Sequence, residues 1–252
     1  MRPLAALAGL LCLMGPAAAS AAECRTDRYD GAEFTICEVD LTREDLRLFL
    51  YDADDRPYGY FGTLDQALEE TGQRLGFAMN AGMYHDDRRP VGHYVEDGTE
   101  LQRVITSDGP GNFGLLPNGV LCLRDGRADV IETRRFVQSA PACRSATQSG
   151  PMLVIDGDLH PRFLPDSTSK YVRNGVGTSP DGTTATFAIS DQPVNFHHFG
   201  RLFRDHLQLD QALYFDGNIS RVRAPDLGRS DIGFGALGPI IGVVEPMAET
   251  QN

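Results

Sequence analysis

The sequence predicts an α+β fold of mixed-sheet organisation, with a largely antiparallel component and a few flanking helices. Three observations carry this. Asx-Gly pairs recur between apolar runs, and such pairs favour the positive φ angles of tight hairpins. Two segments place apolar residues at helical rather than alternating intervals. The second of these lies between two strand-like runs, so helix and sheet alternate along the chain without a repeat.

The first residues read as a leader rather than as part of the fold. Arg2, the apolar run from Leu4 to Met14 and the small residues from Pro16 to Ala22 spell a secretory signal peptide, residues 1–22. Leu11 before Cys12 does not suit lipoprotein processing, which needs a small residue there. No other run approaches the ~20 apolar residues of a membrane helix. An exported chain, periplasmic or extracellular and without stable membrane insertion, is expected. About 230 residues then remain, enough for one sizeable core. Their composition is ordinary, with 41% hydrophobic and 23% charged residues in the full chain. The formal net charge of −12 argues against nucleic acid or an anionic membrane as partner, while leaving room for a local basic site for one phosphate. Beyond the leader stand Cys24, Cys37, Cys122 and Cys143. In an oxidising compartment they read as two disulfides, and pairing near neighbours is the simplest of three connectivities. None shows the Cys-x-x-Cys spacing of structural zinc.

Taken in order, Phe34 to Val39 and Leu46 to Tyr51 alternate as strands, and Cys24 to Asp55 reads as extra strands of the same sheet. Thr63 to Leu75 reads as a helix, with Thr63 and Gln66 in capping-box spacing and Leu64, Ala67, Leu68 and Leu75 on one face. The buried-looking run Gly76 to Met79 delivers Asn80, Gly82 and Tyr84 to one spot. Hairpin turns are expected at Asp97-Gly98, Asn118-Gly119, Asp156-Gly157 and Asp181-Gly182. Asn195 to Leu209 forms the second helix, with Phe196, Phe199, Phe203 and Leu207 at helical intervals. It leads into a strand that stops at Asp216-Gly217. Gly233 to Gly238 spells a dinucleotide fingerprint, but Pro239 and an apolar run follow where a helix is required, so these glycines read as close-packed turns.

Polar groups gather at the strand ends: Asn80, Ser149-Gly150-Pro151, Arg173, Asp191 and Asp216. Singly, each has a plain structural reading. Asp before Gly makes turns, Asp191 could cap the following helix, and Arg173 could form a surface ion pair. His85 and His93 read as loop residues rather than metal ligands, with His93 kept as a candidate substrate contact.

In succession they say more. Asn80-Ala81-Gly82-Met83-Tyr84, Pro90-x-Gly92, Gln148-Ser149-Gly150-Pro151, Arg173-Asn174-Gly175-Val176-Gly177 and Asp216-Gly217-Asn218-Ile219-Ser220 together resemble the phosphodiester glycosidase family, of which the uncovering enzyme is the best-known member. The likeness runs from about Phe77 to the last strand. Two departures stand out: Ala81 where the family usually has glycine, and Asn218-Ile219 where it has further glycines. The resemblance implies a mixed α/β fold with a central sheet and an active site at strand ends, and a hydrolase that cleaves a sugar-1-phosphodiester in an envelope or extracellular glycan. With no internal domain boundary in the sequence, residues 23–252 are expected to form one domain, with 23–55 as its N-terminal strands.

A sugar phosphate leaves as a stable anion, so general-acid help matters less than gripping the diester. Arg173 is expected on the phosphate, since a guanidinium fork matches its oxygens. Asp216 and Asp191 are expected as the carboxylate pair. Asn80, Asn218, Gly82, Tyr84, His93, Ser149 and Gly150 are the expected sugar contacts. Replacing Arg173 or Asp216 with alanine is expected to abolish turnover while leaving stability nearly unchanged. No cofactor is required, although Asp191, Asp216, Asn80 and a histidine could hold calcium or magnesium, which would suit a metal-dependent phosphoesterase. The same residues could also serve a carbohydrate-binding protein without turnover.

Overall fold

The computed structural model describes residues 22–217 and 219–247. The expected leader, apart from Ala22, and Asn218 lie outside the described residues. Seventeen strands are described in chain order. They begin with β1 (Glu23–Tyr29), β2 (Ala32–Asp40), β3 (Asp45–Phe49), β4 (Gln73–Asn80), β5 (Tyr94–Glu96) and β6 (Thr99–Gln102). Then come β7 (Gly119–Arg124), β8 (Arg127–Glu132), β9 (Ser145–Ser149), β10 (Met152–Ile155), β11 (Asp158–Leu159) and β12 (Asn174–Thr178). The last are β13 (Thr184–Ser190), β14 (Gln211–Asp216), β15 (Val222–Ala224), β16 (Arg229–Ser230) and β17 (Ile240–Pro246). The helices are α1 (Phe61–Glu69), α2 (Thr133–Ser139) and α3 (Phe196–Arg201), the last continuing as a π-helical turn over Leu202–His206.

The α+β class holds, but one central mixed sheet does not. The strands form three sheets, in the orders β1-β2-β13-β12-β14-β10-β11, β16-β15-β4-β17-β3 and β6-β5-β9-β7-β8. The pairings within them run antiparallel. Each sheet turns one face to a shared core. Val176, Phe187 and Phe215 come from the first sheet, Phe77, Met79 and Ile241 from the second, and Tyr94 and Leu121 from the third. Phe77 and Phe187 meet with ring centroids 5.0 Å apart. Each fully buried ring of this kind contributes about 1.5–3 kcal/mol.

The outer faces are covered one helix apiece. Phe199, Leu202 and Phe203 pack on the first sheet, Phe61, Leu64 and Leu68 on the second, and Phe136 on the third. The antiparallel sheets follow from the alternation of apolar residues, and each helix is just long enough to cover one outer face.

Three local expectations change. The helix expected from Thr63 to Leu75 starts at Phe61, with Tyr60 as its N-cap and no side-chain cap. It stops at Glu69, and Leu75 lies in β4 beneath it. Asn118-Gly119 is not a hairpin. Asn118 is buried, its amide donating to the Phe113 carbonyl at 2.8 Å and accepting from Thr133 Oγ1 at 2.7 Å. The other three Asx-Gly pairs do turn between paired strands. Asp97, Gly98, Asp156 and Gly157 all have positive φ. Asp30-Gly31 and Asp125-Gly126 do the same work between β1 and β2 and between β7 and β8. Both disulfides form, Cys24–Cys37 across directly opposed positions of β1 and β2, and Cys122–Cys143 from β7 to the approach of β9.

Candidate functional site

β14 (Gln211–Asp216) brings two of the cleft-lining side chains, Tyr214 and Asp216, to one place. Leu213 and Phe215 point into the shared core, and Tyr214 faces the helix side. Opposite β12 the strand bulges between Tyr214 and Asp216, a device that re-aims side chains at strand ends. β12 can lie this close because Gly175 has no side chain: a Cβ there would stand 2.6 Å from the Leu213 carbonyl oxygen. Tyr214 and Asp216 emerge together into a cleft of about 420 Å³. Its other walls are Met83 and Tyr84 beyond β4, Asn112 from the segment between β6 and β7, and Ser169 and Tyr171 ahead of β12.

A buried amide pair sets Asp216 in place. Asn174 Oδ1 accepts from the Asp216 backbone N–H at 3.0 Å and from Ser220 Oγ at 3.3 Å. Its Nδ2 donates to the Asn80 carbonyl at 3.0 Å and to Asn80 Oδ1 at 3.1 Å. Asn80 Oδ1 in turn accepts from the Arg221 backbone N–H at 2.8 Å. The two amides thus pin both ends of the Asp216–Arg221 loop. They also join the first sheet to the second. Both are fully buried, so Asn80 sits behind the cleft as a brace rather than on its surface.

Arg173 is equally committed. Nε donates to the Val194 carbonyl at 2.9 Å, an Nη to the Ser169 carbonyl at 3.1 Å and the other to the Tyr214 hydroxyl at 3.2 Å. The guanidinium lies 3.6 Å from the centroid of Phe196, and the residue is 1% exposed. It does not line the cleft, and a phosphate there would meet Tyr214 before it met Arg173. Burial pushes the Tyr214 phenol up, with Arg173 pulling it back and Asp216 adding to the rise. The phenol therefore keeps its proton, and because its oxygen already accepts from Arg173, that proton is left for another acceptor. Tyr84 forms the facing wall, its ring lying against Gly238, where a Cβ would come within 2.4 Å. Burial and then the Asp216 carboxylate push its phenol up as well.

The remaining expected residues fall elsewhere. Asp191 is paired with Arg229 and lies 3.5 Å from Thr35 Oγ1, tying β16 to β13. Asn195, not Asp191, caps α3, accepting from the His198 N–H at 2.8 Å. His93 is buried against Phe136 with Nδ1 3.0 Å from the Gln102 carbonyl. Ser149 donates to the Phe215 carbonyl at 3.0 Å, and Gly82 and Gly150 are points of close backbone packing. Among the described residues no three His, Cys, Asp or Glu side chains converge where they could hold a metal ion.

Sequence reading missed Tyr214, Asn174, Tyr171, Ser169 and Asn112. For Tyr214 a signal existed, since period two puts it on the same side of the strand as Asp216. Asn174 was in view as part of a motif, but nothing in the spacing marks it as the partner of Asn80.

Residues 73–224 match the family model described as phosphodiester glycosidase. An Escherichia coli protein named uncharacterized protein YigE is 32% identical over 184 residues, covering 73% of this chain and 71% of that one. The catalytic domain of zebrafish N-acetylglucosamine-1-phosphodiester alpha-N-acetylglucosaminidase has a similar fold, with a TM-score of 0.59 at 12% identity over 88% of this chain and 81% of that one. So does a hypothetical protein from Synechocystis, with a TM-score of 0.59 at 12% identity, covering 88% of this chain and 61% of that one.

Proposed function

The chain belongs to the phosphodiester glycosidase family, and on that premise we propose that it is an exported hydrolase that releases a sugar from a sugar-1-phosphodiester. The observation that carries this is the setting of Asp216, in a cleft between two protonated tyrosines and fixed by buried amides. In this reaction the bond between the anomeric carbon and the phosphate oxygen breaks, and its electron pair leaves with the phosphate. The departing group is already an anion, so one carboxylate suffices where an ordinary glycoside needs two. Asp216 stabilises the positive charge that develops on the sugar, or takes the proton from attacking water. The Tyr214 hydroxyl, polarised by Arg173, donates to an oxygen of the bound diester. Tyr84 and Tyr171 supply flat faces for the ring. Arg173 acts through Tyr214 as a positioning residue, and Asp191 holds β16. Export is supported by the leader-like first residues and by two disulfides, which form outside the reducing cytosol.

Sugar release from a synthetic sugar-1-phosphodiester tests this. Asp216→Asn should lower kcat/KM by roughly 10³-fold, within the range for a positioned acid or base, with an unchanged melting temperature. Near-wild-type turnover in that variant would mean that the site is elsewhere.

A further inference from the structure

A second groove of about 690 Å³ adjoins the cleft and shares Gly217 with it. Three features set it apart. First, it contains Arg221, which is 8% exposed. Among the described residues its side chain makes one hydrogen bond, from an Nη to the Gly235 carbonyl at 3.0 Å. Among the described residues no carboxylate lies within 4.0 Å of it. The acid that shares the groove, Asp231, is already taken by Arg229 at 3.0 Å and by the Val222 N–H at 3.0 Å. Second, the guanidinium is fixed. Gly233 lies so close that a Cβ there would stand 2.2 Å from an Nη, and the Arg221 backbone is held by Asn80. Third, the rim carries two fully exposed apolar side chains, Ile232 at 94% and Phe234 at 107%. Val172 and Ile219 extend that apolar surface inside.

A largely buried cation without an anion is costly unless a ligand supplies one, and exposed apolar side chains of this size mark a surface that takes an apolar group. The two lie side by side, and the groove opens beside the carboxylate that would cut the sugar–phosphate bond. We propose that this groove is the leaving-group site: Arg221 binds the phosphate, and Ile232 and Phe234 cover an alkyl alcohol esterified to it. The substrate is then a phosphodiester between a sugar and an apolar, lipid-like alcohol. This rests on the reading of the cleft given above. The phosphate spans the boundary at Gly217, with the sugar beside Asp216 and Tyr84 and the alkyl chain along Ile219 toward Phe234. The product held in the groove is an alkyl phosphate.

Calorimetric titration with octyl phosphate and with inorganic phosphate reads the groove without turnover. Octyl phosphate should bind the intact protein at least tenfold more tightly than inorganic phosphate. In the Ile232→Ser/Phe234→Ser double variant that advantage should vanish; both side chains are exposed, so the melting temperature should stay put. Arg221→Gln should weaken both ligands at least tenfold. Equal affinity for the two ligands, or an octyl advantage that survives the double substitution, overturns the proposal. So does binding to neutral phosphatidylcholine vesicles that depends on Phe234 in a protein with no octyl preference, since the loop would then be a bilayer contact. Because no turnover is read, a chain that hydrolyses no sugar phosphodiester would refute the proposed function while leaving the groove to be judged on these titrations.

Discussion

Asp216 owes its position to two uncharged side chains. Asn174 and Asn80 hold the loop that follows it, and neither touches the cleft. Asn174→Ala should therefore behave as a structural and a catalytic lesion together. It strands the Asp216 N–H and the Asn80 amide, at about 1–3 kcal/mol for each unsatisfied buried group, and lets Asp216 wander. The expected outcome is a lower urea midpoint with kcat/KM reduced by roughly 10²-fold, a loss typical of a misplaced catalytic group. Arg173→Ala should likewise unfold more readily. Three acceptors and the face of Phe196 lose their partner, so destabilisation of about 3 kcal/mol or more is expected in urea. Sequence alone suggested that this substitution would leave stability alone. An arginine at a strand end looks the same in sequence whether it faces solvent or is sealed behind a tyrosine.

Among the elements, the strands were the most legible. Alternation and turn chemistry located the hairpins at Asp97, Asp156 and Asp181 because those turns depend on local backbone angles. Asn118-Gly119 spells the same signal, yet tertiary contacts to Phe113 and Thr133 claim its amide. The helix edges were harder. Leu75 continues the apolar face of α1 on paper, but Gly72, with φ of +73°, has already turned the chain back. Helix α2 has seven residues, too few for a period to show. The approach of β12 to β14 gives an element-scale prediction. Gly175→Ala would press a methyl group against the Leu213 carbonyl, and overpacking of this kind costs about 1–3 kcal/mol. The melting temperature should fall. Turnover should fall with it, because β14 carries both Tyr214 and Asp216.

For the whole molecule, turn signals and helical spacing foretold an α+β protein and the cysteine count foretold two disulfides, but nothing foretold three sheets around one core. Sheet number depends on which strands pair over long separations, as when β2 joins β13 or β3 joins β17, and no local pattern records that. Two global predictions follow from the architecture. The Cys24–Cys37 and Cys122–Cys143 links span 13 and 21 residues. Loops of that size contribute about 3 kcal/mol each on a chain-entropy estimate, so thermal unfolding with and without reductant should differ by several degrees. The pH profile should slope as well. Burial raises Glu96 to about 7, with the Tyr94 hydroxyl bond pulling it back. A carboxyl whose folded value lies above its unfolded value near 4.5 gives stability that is fully present below that unfolded value. This stability is lost as pH rises through about 7. Glu96→Gln should therefore raise the melting temperature more at pH 8 than at pH 5.

The seam between Asn80 and Asn174 stitches one sheet to another directly behind Asp216. On the proposed function, catalysis then depends on the joint between two layers rather than on a part that could survive by itself. On heating, residual turnover and circular dichroism should trace a single curve, with no warm state that keeps its strands yet has lost its chemistry.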